Sequence, residues 1–548
     1  MIRVARGAFV KTPFVASKAR VLVDRHEQGQ PVAERRRLGS HATPASLAAV
    51  LTEAAIEVLG HTPRLVADPS CGAGAFLLAA ADALVARGVA PAEVVGERLV
   101  GCDVDPAAVH AARAALVCWA TEHGVDDPGL TPRLTVADAL TTAPTSWAGR
   151  PDLVVGNPPF LAQRTTDTAR GAEDRLGARA RFGAIGPYTD ASAIFLLCAV
   201  DLLADDGVAV MIQPQSLLSA RDAGCVRRHL AQEATLVELW GSDRRHFDAE
   251  VDVCAPVLVR RRGAGGSVRL RWGPDATVVG SARLPTSGDS WGPLLAGCLG
   301  VPEVPEASPR ARLLSDVATT TAGFRDEFYA LSAAAREPGE QGWSAHAPRL
   351  VTVGMIDPGR LSWGTGTRRL GGRAVVAPRL DRHALHRDAP RVATWCAHRL
   401  RPKVLVATQT RIVEAVVDDV GDCVPVTPAI SVEPIAADGR GRQLPDVWAL
   451  GAALLAPPVA ARAVATHLGS GLSVGSIRWS ARAVRDVVLP VDRRSWDAGA
   501  EIVQRLAGAG PDTVADLLAE LAPLMCRAHG LAPDHPVGPW WLDRAVRA

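Results

Sequence analysis

The sequence lacks the features that mark membrane-spanning, disulfide-stapled and zinc-ribbon proteins. Its ten cysteines are scattered without any Cys-x-x-Cys pair, so we expect reduced thiols and no zinc ribbon. The most apolar stretch, residues 191–214, is interrupted by Asp201, Asp205 and Asp206, and falls short of the roughly 20 apolar residues that a membrane helix needs. The N-terminal residues have no apolar run of signal-peptide length. These absences favour a cytoplasmic protein.

A large charge of one sign is also absent. The net charge is +2. The chain has 548 residues, 48% of them hydrophobic, and this length and composition indicate a globular protein of two or three domains. Positive charge is concentrated locally. Residues 351–411 carry twelve Lys and Arg against three Asp, with Trp363 and Trp395 among them, and residues 1–41 carry nine basic residues against three acidic ones. The first of these segments predicts a phosphate-contacting surface, and the alternative is a solvated basic face.

The organisation of the chain changes near residue 265. Residues 41–262 alternate helical patterns with short Val- and Leu-rich runs that end in Asp or Gly, as in a doubly wound α/β sheet. The run RRRGAGG and several prolines between residues 285 and 309 then indicate a connection. We predict five segments with these bounds: 1–40, 41–265, 266–310, 311–495 and 496–548.

A glycine-containing turn follows the first predicted strand and precedes a helix. Gly72 and Gly74 allow the backbone to pass close to a ligand at the start of that helix. Two later strands also end in acids. Asp103 is placed to accept hydrogen bonds from ribose hydroxyls, and Asp138 could accept from an adenine amino group. Three acids at successive strand ends, Asp68 being the first, favour a nucleoside site over three unrelated turns.

The motif Asn157-Pro158-Pro159-Phe160 follows a further buried-looking strand. Two adjacent prolines remove two backbone donors and stiffen the turn, so that the Asn157 side-chain oxygen and the Pro158 carbonyl can accept from one planar amino group. Phe160 could stack on the ring that carries the amine. The alternative is a structural turn without chemistry.

In this order, the motifs DPSCGAGAF, LVGCDVD, LTVADAL and NPPF resemble those of the N6-adenine DNA methyltransferases of restriction-modification systems, in the group whose target-recognition domain is C-terminal. The resemblance implies a class I S-adenosylmethionine-dependent methyltransferase fold, Rossmann-like and doubly wound, followed by an α+β target-recognition domain. It implies a basic N-terminal arm at 1–40, a catalytic domain at 41–265, a linker at 266–310, a recognition domain at 311–495 and a C-terminal helical segment at 496–548.

The same resemblance implies the residues of the site. The cofactor-binding set is Thr43, Pro44, Asp68, Pro69, Ser70, Cys71, Gly72, Gly74, Phe76, Asp103 and Asp138. Asn157, Pro158, Pro159 and Phe160 form the implied catalytic motif, with Phe160 where many relatives have Tyr. Phe247, in HFDAEVDV, resembles the aromatic on the other face of a flipped base, and an ordinary core phenylalanine is the alternative. No metal is required.

The implied activity is site-specific transfer of a methyl group from S-adenosylmethionine to adenine N6 in double-stranded DNA. The base would be turned out of the duplex, because N6 is paired and stacked inside it. Three alternatives remain: an RNA substrate, a protein glutamine substrate, or a catalytically silent DNA-binding subunit. A common nuclease signature is absent, because none of Lys11, Lys18 and Lys403 has an acid two residues earlier. Any restriction or defence activity would therefore belong to a separate subunit, and we expect association with the nucleoid.

Overall fold

The chain divides into two compact units, residues 1–294 and residues 295–548. The computed structural model describes residues 17–29, 42–141, 147, 149–160, 181–183, 185–186, 189–247, 251–261, 263, 266–285, 290–435, 444–471 and 475–547. Each unit has its own buried core and is described separately below.

The N-terminal unit is built on one mixed sheet, to which ten strands contribute among the described residues. The strands are β1 (Val66–Asp68), β2 (Leu99–Asp103), β3 (Arg133–Val136), β4 (Leu153–Gly156), β5 (Val208–Met211), β6 (Gln213–Pro214), β7 (Thr235–Gly241), β8 (Val253–Val259), β9 (Ser267–Trp272) and β10 (Thr277–Arg283). Their order is β10-β9-β7-β8-β5-β4-β1-β2-β3, with β6 beside β8. Strands β1 to β5 run parallel, whereas β8 is antiparallel to both β5 and β7.

Helices connect the parallel strands. Within the described ranges they are α1 (Lys18–Gly29), α2 (Ala45–Leu59), α3 (Ala75–Val85), α4 (Pro91–Glu93), α5 (Pro106–Glu122), α6 (Ala191–Leu202), α7 (Ser216–Ser219), α8 (Gly224–Glu233) and α9 (Gly292–Ala296), with a π-helical turn at Val94–Arg98. The strand order reverses between β1 and β4, and in open α/β sheets ligands bind at the carboxyl ends of the strands beside such a reversal. The predicted doubly wound α/β fold is confirmed.

Helix α1 lies within the segment predicted as an N-terminal arm, and it packs on the first unit. Ser17 Oγ and the backbone N of Lys18 donate to the Glu122 carboxylate at 2.7 and 2.6 Å, at the end of α5. Arg20 pairs with Asp82 at 2.6 Å, and Asp82 also accepts from Trp119 Nε1 at 2.7 Å. Residues 1–16 and 30–41 of the predicted arm lie outside the described residues. The described part is therefore a docked helix.

The predicted linker at 266–310 differs from the structure over its first part. Strands β9 and β10 extend the sheet of the first unit, with β9 parallel to β7 and antiparallel to β10. Arg271 on β9 pairs with Glu238 on β7 at 2.5 Å, and Glu238 is 1% exposed. The pattern of RRRGAGG suggested an exit from the domain, but the chain turns there and pairs again. The end of this sheet along the chain is set by pairing between strands that are distant in the sequence, and the local sequence pattern does not predict such pairing.

The C-terminal unit has two four-stranded sheets. The first is antiparallel, in the order Ala318–Ala322, Ile430–Pro434, Lys403–Val406, Ala415–Asp418. The second is mixed, in the order Ala335–Arg336, Arg379–Leu380, Arg349–Val351, Cys423–Pro425. Two-residue and three-residue strands pair at Ile356–Asp357 with Arg360–Leu361, at Arg368–Leu370 with Arg373–Val375, and at Gln409–Thr410 with Ile477–Arg478. The predicted α+β character is confirmed.

Helices cover both sheets of this unit. In its described part they are Arg325–Ala334, Arg382–Asp388, Pro390–Arg399, Val447–Leu454, Pro457–Thr466, Ala481–Arg485, Arg493–Ala507, Pro511–Ala528 and Val537–Ala545. The last three share one core with the first sheet, and Trp496 Nε1 donates to the Ala449 carbonyl at 2.6 Å. The predicted separate segment at 496–548 is thus part of the same unit. No single described helix is long and apolar enough to cross a membrane, although the bent pair Val447–Leu454 and Pro457–Thr466 passes that test together.

Part of the basic excess at 351–411 is neutralised inside the second unit. Arg399 and Arg401 both pair with the buried Glu433, and Arg373 pairs with Glu340. Lys403 is fully buried and pairs with Asp418. Possible metal-ligand atoms of Asp418, Asp422 and Cys423 lie within 4.8 Å of one another. The Lys403 ammonium, however, already pairs with the Asp418 carboxylate. The predicted phosphate-contacting surface therefore has fewer available cations than the sequence count implied.

Candidate active site

A cleft opens at the carboxyl ends of the parallel strands of the first unit. It is lined by residues from the turn after β1, from the end of β2, from the segment after β3 and from the end of β4. Eleven of the predicted residues line it, namely Thr43, Asp68, Pro69, Ser70, Cys71, Gly72, Phe76, Asp103, Asp138, Asn157 and Pro159. Motifs that are far apart in the chain thus meet at one place, because parallel strands end at a common edge of the sheet.

The turn after β1 forms the floor of the cleft. Asp68 is 2% exposed, and its Oδ1 accepts from the backbone N of Ser70 at 3.0 Å, which closes the turn. Gly72 and Gly74 have φ of +50° and +99°, a backbone conformation that favours glycine. A Cβ on Gly74 would lie 3.3 Å from Ala112 Cβ on α5, so the loop also packs closely. Glycine at these positions therefore serves both the turn and its packing.

Asp103 joins the end of β2 to this turn. Its Oδ2 accepts from the backbone N of Gly72 at 2.9 Å, and its Oδ1 accepts from the backbone N of Asp105 at 3.0 Å. Asp105 in turn caps α5 by accepting from the backbone N of Ala107 at 2.9 Å. The Asp103 carboxylate is thereby fixed at the edge of the cleft, where a ribose-binding acid is expected.

Burial raises the pKa of several groups in the cleft. It raises the pKa of the Asp68 carboxyl to about 8, and the nearby charge of Asp103 adds to this shift. Burial likewise raises the pKa of Asp103 above its usual range, against the hydrogen bonds from Asp105 and Gly72. It also raises the pKa of the Cys71 thiol, so Cys71 is a neutral lining residue and not a nucleophile.

Asn157 follows β4 directly and faces Thr43, two positions before the start of α2. Its Nδ2 donates to Thr43 Oγ1 at 3.1 Å, and the carbonyl of the neighbouring Pro44 accepts from Leu47 at the start of α2. Gly156 leaves room behind this turn, because a Cβ there would lie 2.8 Å from Asp68 Oδ1. The predicted Thr-Pro and Asn-Pro-Pro motifs are therefore in direct contact. Asn157 is also the only asparagine in the sequence, so the amino-acid composition by itself already singles out this residue.

Five predicted residues do not line the cleft: Pro44, Gly74, Pro158, Phe160 and Phe247. The rings of Phe160 and Phe247 are 6.1 Å apart and nearly perpendicular, at 89°. Phe247 is 9% exposed and belongs to the hydrophobic core of the first unit, against which Phe160 packs. A base that lay flat on Phe160 would meet the edge of Phe247 and not its face. Stacking by Phe247 remains a prediction.

Sequence reasoning missed several lining residues. His26 and Glu27 come from α1, and Phe195 comes from α6. Burial and the neighbouring Asp24 raise the pKa of Glu27 to about 7. No local motif surrounds these residues, so only their spatial placement identifies them. The remaining unpredicted lining residues are Ala73, Ala75, Val104, Asp105, Ala108, Ala137 and Ala139.

The donor set of the cleft fits a cationic nucleoside. Five carboxylic acids, those of Glu27, Asp68, Asp103, Asp105 and Asp138, line it, and the lining contains no lysine or arginine among the described residues. S-adenosylmethionine carries a sulfonium and an ammonium group against one carboxylate, and a lining that contains carboxyl groups and no basic residue suits a ligand with a net positive charge. The predicted nucleoside-binding acids Asp103 and Asp138 and the predicted catalytic residue Asn157 all line this cleft.

Comparisons with known proteins agree with this geometry. Residues 31–248 match the family model described as N-6 DNA methylase. No curated protein sequence matches the chain. Among solved structures, the type IIL restriction-modification enzyme MmeI, solved with DNA, is 12% identical with a TM-score of 0.59, and the match covers 97% of this chain and 78% of that one.

A second solved structure, the DrdV–DNA complex, is 13% identical with a TM-score of 0.55, covering 90% of this chain and 60% of that one. At these identities the likeness establishes the shared fold, and the MmeI match extends over nearly all of both units. The family match covers all the residues that line the cleft except His26 and Glu27. Residues 31–248 therefore form a DNA methyltransferase domain of the N-6 DNA methylase family, with S-adenosylmethionine as its cofactor.

Proposed function

We propose that this chain is a site-specific DNA methyltransferase that methylates N6 of an adenine turned out of the duplex. The observation that carries the proposal is the position of Asn157, next to Thr43 and in the same cleft as Asp103 and Asp138. A cofactor held by its nucleoside at Asp103 and Asp138 and an acceptor amine held at Asn157 would therefore share one cleft.

In this proposal Asn157 and Pro158 orient the acceptor amine. The Asn157 Oδ1 and the Pro158 carbonyl accept hydrogen bonds from the two N–H groups of the adenine amine, and the nitrogen lone pair then points into the cleft. S-adenosylmethionine, when bound, supplies a methyl group already activated by its sulfonium. Phe160 stacks on the adenine and offsets part of the cost of unstacking it, a contact of roughly 1–3 kcal/mol.

Asp103 and Asp138 hold the nucleoside half of the cofactor, through the ribose hydroxyls and the adenine amino group respectively. Thr43 and Asp68 border the methionyl half, and Cys71, Gly72 and Phe76 complete the wall beside it. No step in this scheme uses a metal ion or a covalent protein intermediate.

We assign the second unit to DNA recognition and the whole chain to a restriction-modification or related phage-defence system. MmeI and DrdV, which share the fold, are both solved with DNA, and MmeI is a restriction-modification enzyme. In the second unit, Phe324 and Tyr329 are 43% and 57% exposed, and Arg325 lies 5.7 Å from the Tyr329 ring. Exposed aromatic and arginine side chains suit contact with nucleic acid.

Modification-sensitive long-read sequencing tests this function directly. DNA from a methylation-free host that expresses the wild type should contain N6-methyladenine at one recurring sequence, and DNA from a host that expresses Asn157→Ala should not. Calorimetry with S-adenosylmethionine on both proteins is the control, since Asn157→Ala should retain cofactor binding.

The competing activities give different results in the same experiment. A cofactor-binding wild type that labels RNA or a protein glutamine but never DNA would contradict the DNA substrate. A wild type that binds DNA and leaves every base unmodified would instead indicate a silent DNA-binding subunit.

A further inference from the structure

Helix α1 brings two side chains to the cofactor cleft from outside the segment that the family model matches. The match begins at residue 31, whereas α1 ends at Gly29. His26 and Glu27, in the last turn of α1, nevertheless line the cleft with Asp68 and Asn157. The first unit therefore completes its cofactor site with an element that the family motifs do not include.

The position of α1 is fixed by contacts with two other helices. At the start of α1, Ser17 and Lys18 donate hydrogen bonds to Glu122, at the end of α5. Arg20, in the first turn of α1, donates to Asp82 on α3. Ala19 and Val23 on the same helix are buried in the core of the unit. These contacts hold the last turn, and with it Glu27, at the cleft.

Glu27 lies in the part of the cleft where Thr43 and Asn157 are in contact. Its carboxylate accepts a hydrogen bond from the backbone of Thr43, and Thr43 Oγ1 accepts from Asn157 Nδ2 at 3.1 Å. Asp103 and Asp138 bind at the nucleoside end, so a cofactor that spans the cleft places its methionyl group toward Thr43 and Glu27. Among the described residues that line the cleft, there is no lysine or arginine that could pair with Glu27.

We propose that Glu27 binds the α-ammonium group of the methionyl half of S-adenosylmethionine. Burial disfavours the charged form of a carboxylate that has no basic residue beside it. A ligand with a positively charged group stabilises that form, because the ion pair offsets the cost of burial. Helix α1 thereby serves as a cofactor-binding element of the methyltransferase domain. This inference rests on the cofactor assignment and does not depend on which substrate is methylated.

Calorimetry with two ligands tests the contact. Glu27→Gln should weaken S-adenosylmethionine binding about tenfold, because glutamine keeps an acceptor oxygen but removes the negative charge that strengthens the contact with the ammonium group. Methylthioadenosine has the same nucleoside, with a neutral thioether in place of the sulfonium, and lacks the methionyl ammonium and carboxylate. Its affinity should be the same for Glu27→Gln and the wild type. The matched control is Glu97→Gln, an exposed residue in the turn before β2, at the opposite end of the strands.

Each outcome decides the question. Unchanged S-adenosylmethionine affinity in Glu27→Gln overturns the proposal, and so does an equal loss of affinity for both ligands, which indicates a structural effect. Retained methylthioadenosine binding shows that the variant is folded. A wild type that binds neither ligand refutes the cofactor assignment itself, a failure that is distinct from failure of the Glu27 contact alone.

Discussion

Asn157 Nδ2 donates to Thr43 Oγ1 at 3.1 Å, across 114 residues of sequence. The bond joins the end of β4 to the residue two positions before α2. It also sets the orientation of a planar amide, because an amide whose nitrogen faces Thr43 presents its oxygen on the other edge. In the proposed mechanism that oxygen accepts from the target amine, so Thr43 is a positioning residue for the reaction.

We predict that Thr43→Val lowers kcat about fivefold and leaves the affinity for methylthioadenosine unchanged. The substitution keeps the shape of the side chain but removes one hydrogen bond, worth about 1 kcal/mol, and that loss acts on the rate through the orientation of Asn157. Thr43→Ser retains the hydroxyl and should retain most of the rate. Steady-state methylation of duplex DNA checks both variants. Equal rates in Thr43→Val and the wild type would contradict the positioning role.

The second prediction concerns pH. The pKa of Asp68 is raised to about 8 in the folded protein, from an ordinary value of 3.8. The folded state therefore holds this proton more tightly than the unfolded chain does. Its contribution to stability is complete below about pH 4 and is lost as pH rises through about 8.

Asp68→Asn should remove this contribution to the pH dependence. Relative to the variant, the wild type should lose stability between pH 4 and pH 8, with a slope of at most about 1.4 kcal/mol per pH unit. Urea unfolding of both proteins at several pH values measures the difference. Asp126→Asn, at an exposed loop position, is the matched control. Parallel pH curves for the wild type and Asp68→Asn would refute the prediction.

The third prediction concerns the buried ion pair of the second unit. Lys403 and Asp418 are 0% and 2% exposed, and Asp418 also accepts from the backbone of Gly421 and Cys423 at 2.9 and 3.0 Å. Lys403→Met should lower the free energy of unfolding of this unit by about 3–5 kcal/mol, because it leaves a buried carboxylate without its cation. Chemical denaturation of the full chain measures the loss.

Arg387→Met provides the comparison for that variant. Arg387 also pairs with an aspartate, Asp388, but both side chains are largely exposed, at 72% and 63%. Water and salt already screen such a pair, so its removal should leave the denaturation midpoint unchanged. Similar losses in the two variants would show that burial is not the cause.

The fourth prediction concerns DNA binding by Phe324. The ring is 43% exposed and meets Trp395 edge-to-face at 5.9 Å. Hydrogen bonds fix the backbone of this residue: the Phe324 N donates to the buried Glu327 carboxylate at 3.2 Å, and Thr427 also donates to that carboxylate. A rigid exposed ring can stack on a base, a contact of about 1–3 kcal/mol.

Phe324→Ala should therefore weaken binding to duplex DNA about tenfold, as measured by fluorescence anisotropy at fixed salt. Val420→Ala serves as the control, because Val420 is 74% exposed in the same unit and has no aromatic ring. An affinity equal to that of the wild type would exclude Phe324 from the DNA contact.

Local patterns predicted much of the first unit. The strand before the glycine-containing turn, the helix after that turn and the strand before Asn157 are all present where the sequence predicts them. Each follows from periodicity or from residues with narrow backbone preferences. The extent of the sheet was not predictable in the same way, since β9 and β10 join it only through pairing with strands distant in the sequence.

The sequence by itself determined the chemistry of the site: which acids, which glycines and which asparagine are available, and in what order along the chain. The tertiary structure alone decided which of these meet. It placed Thr43 on Asn157, turned Phe247 perpendicular to Phe160, and brought Glu27 to the cleft on a helix without any motif. The physical reason is that backbone preferences act over a few residues, whereas packing and strand pairing bring together side chains from any distance along the chain.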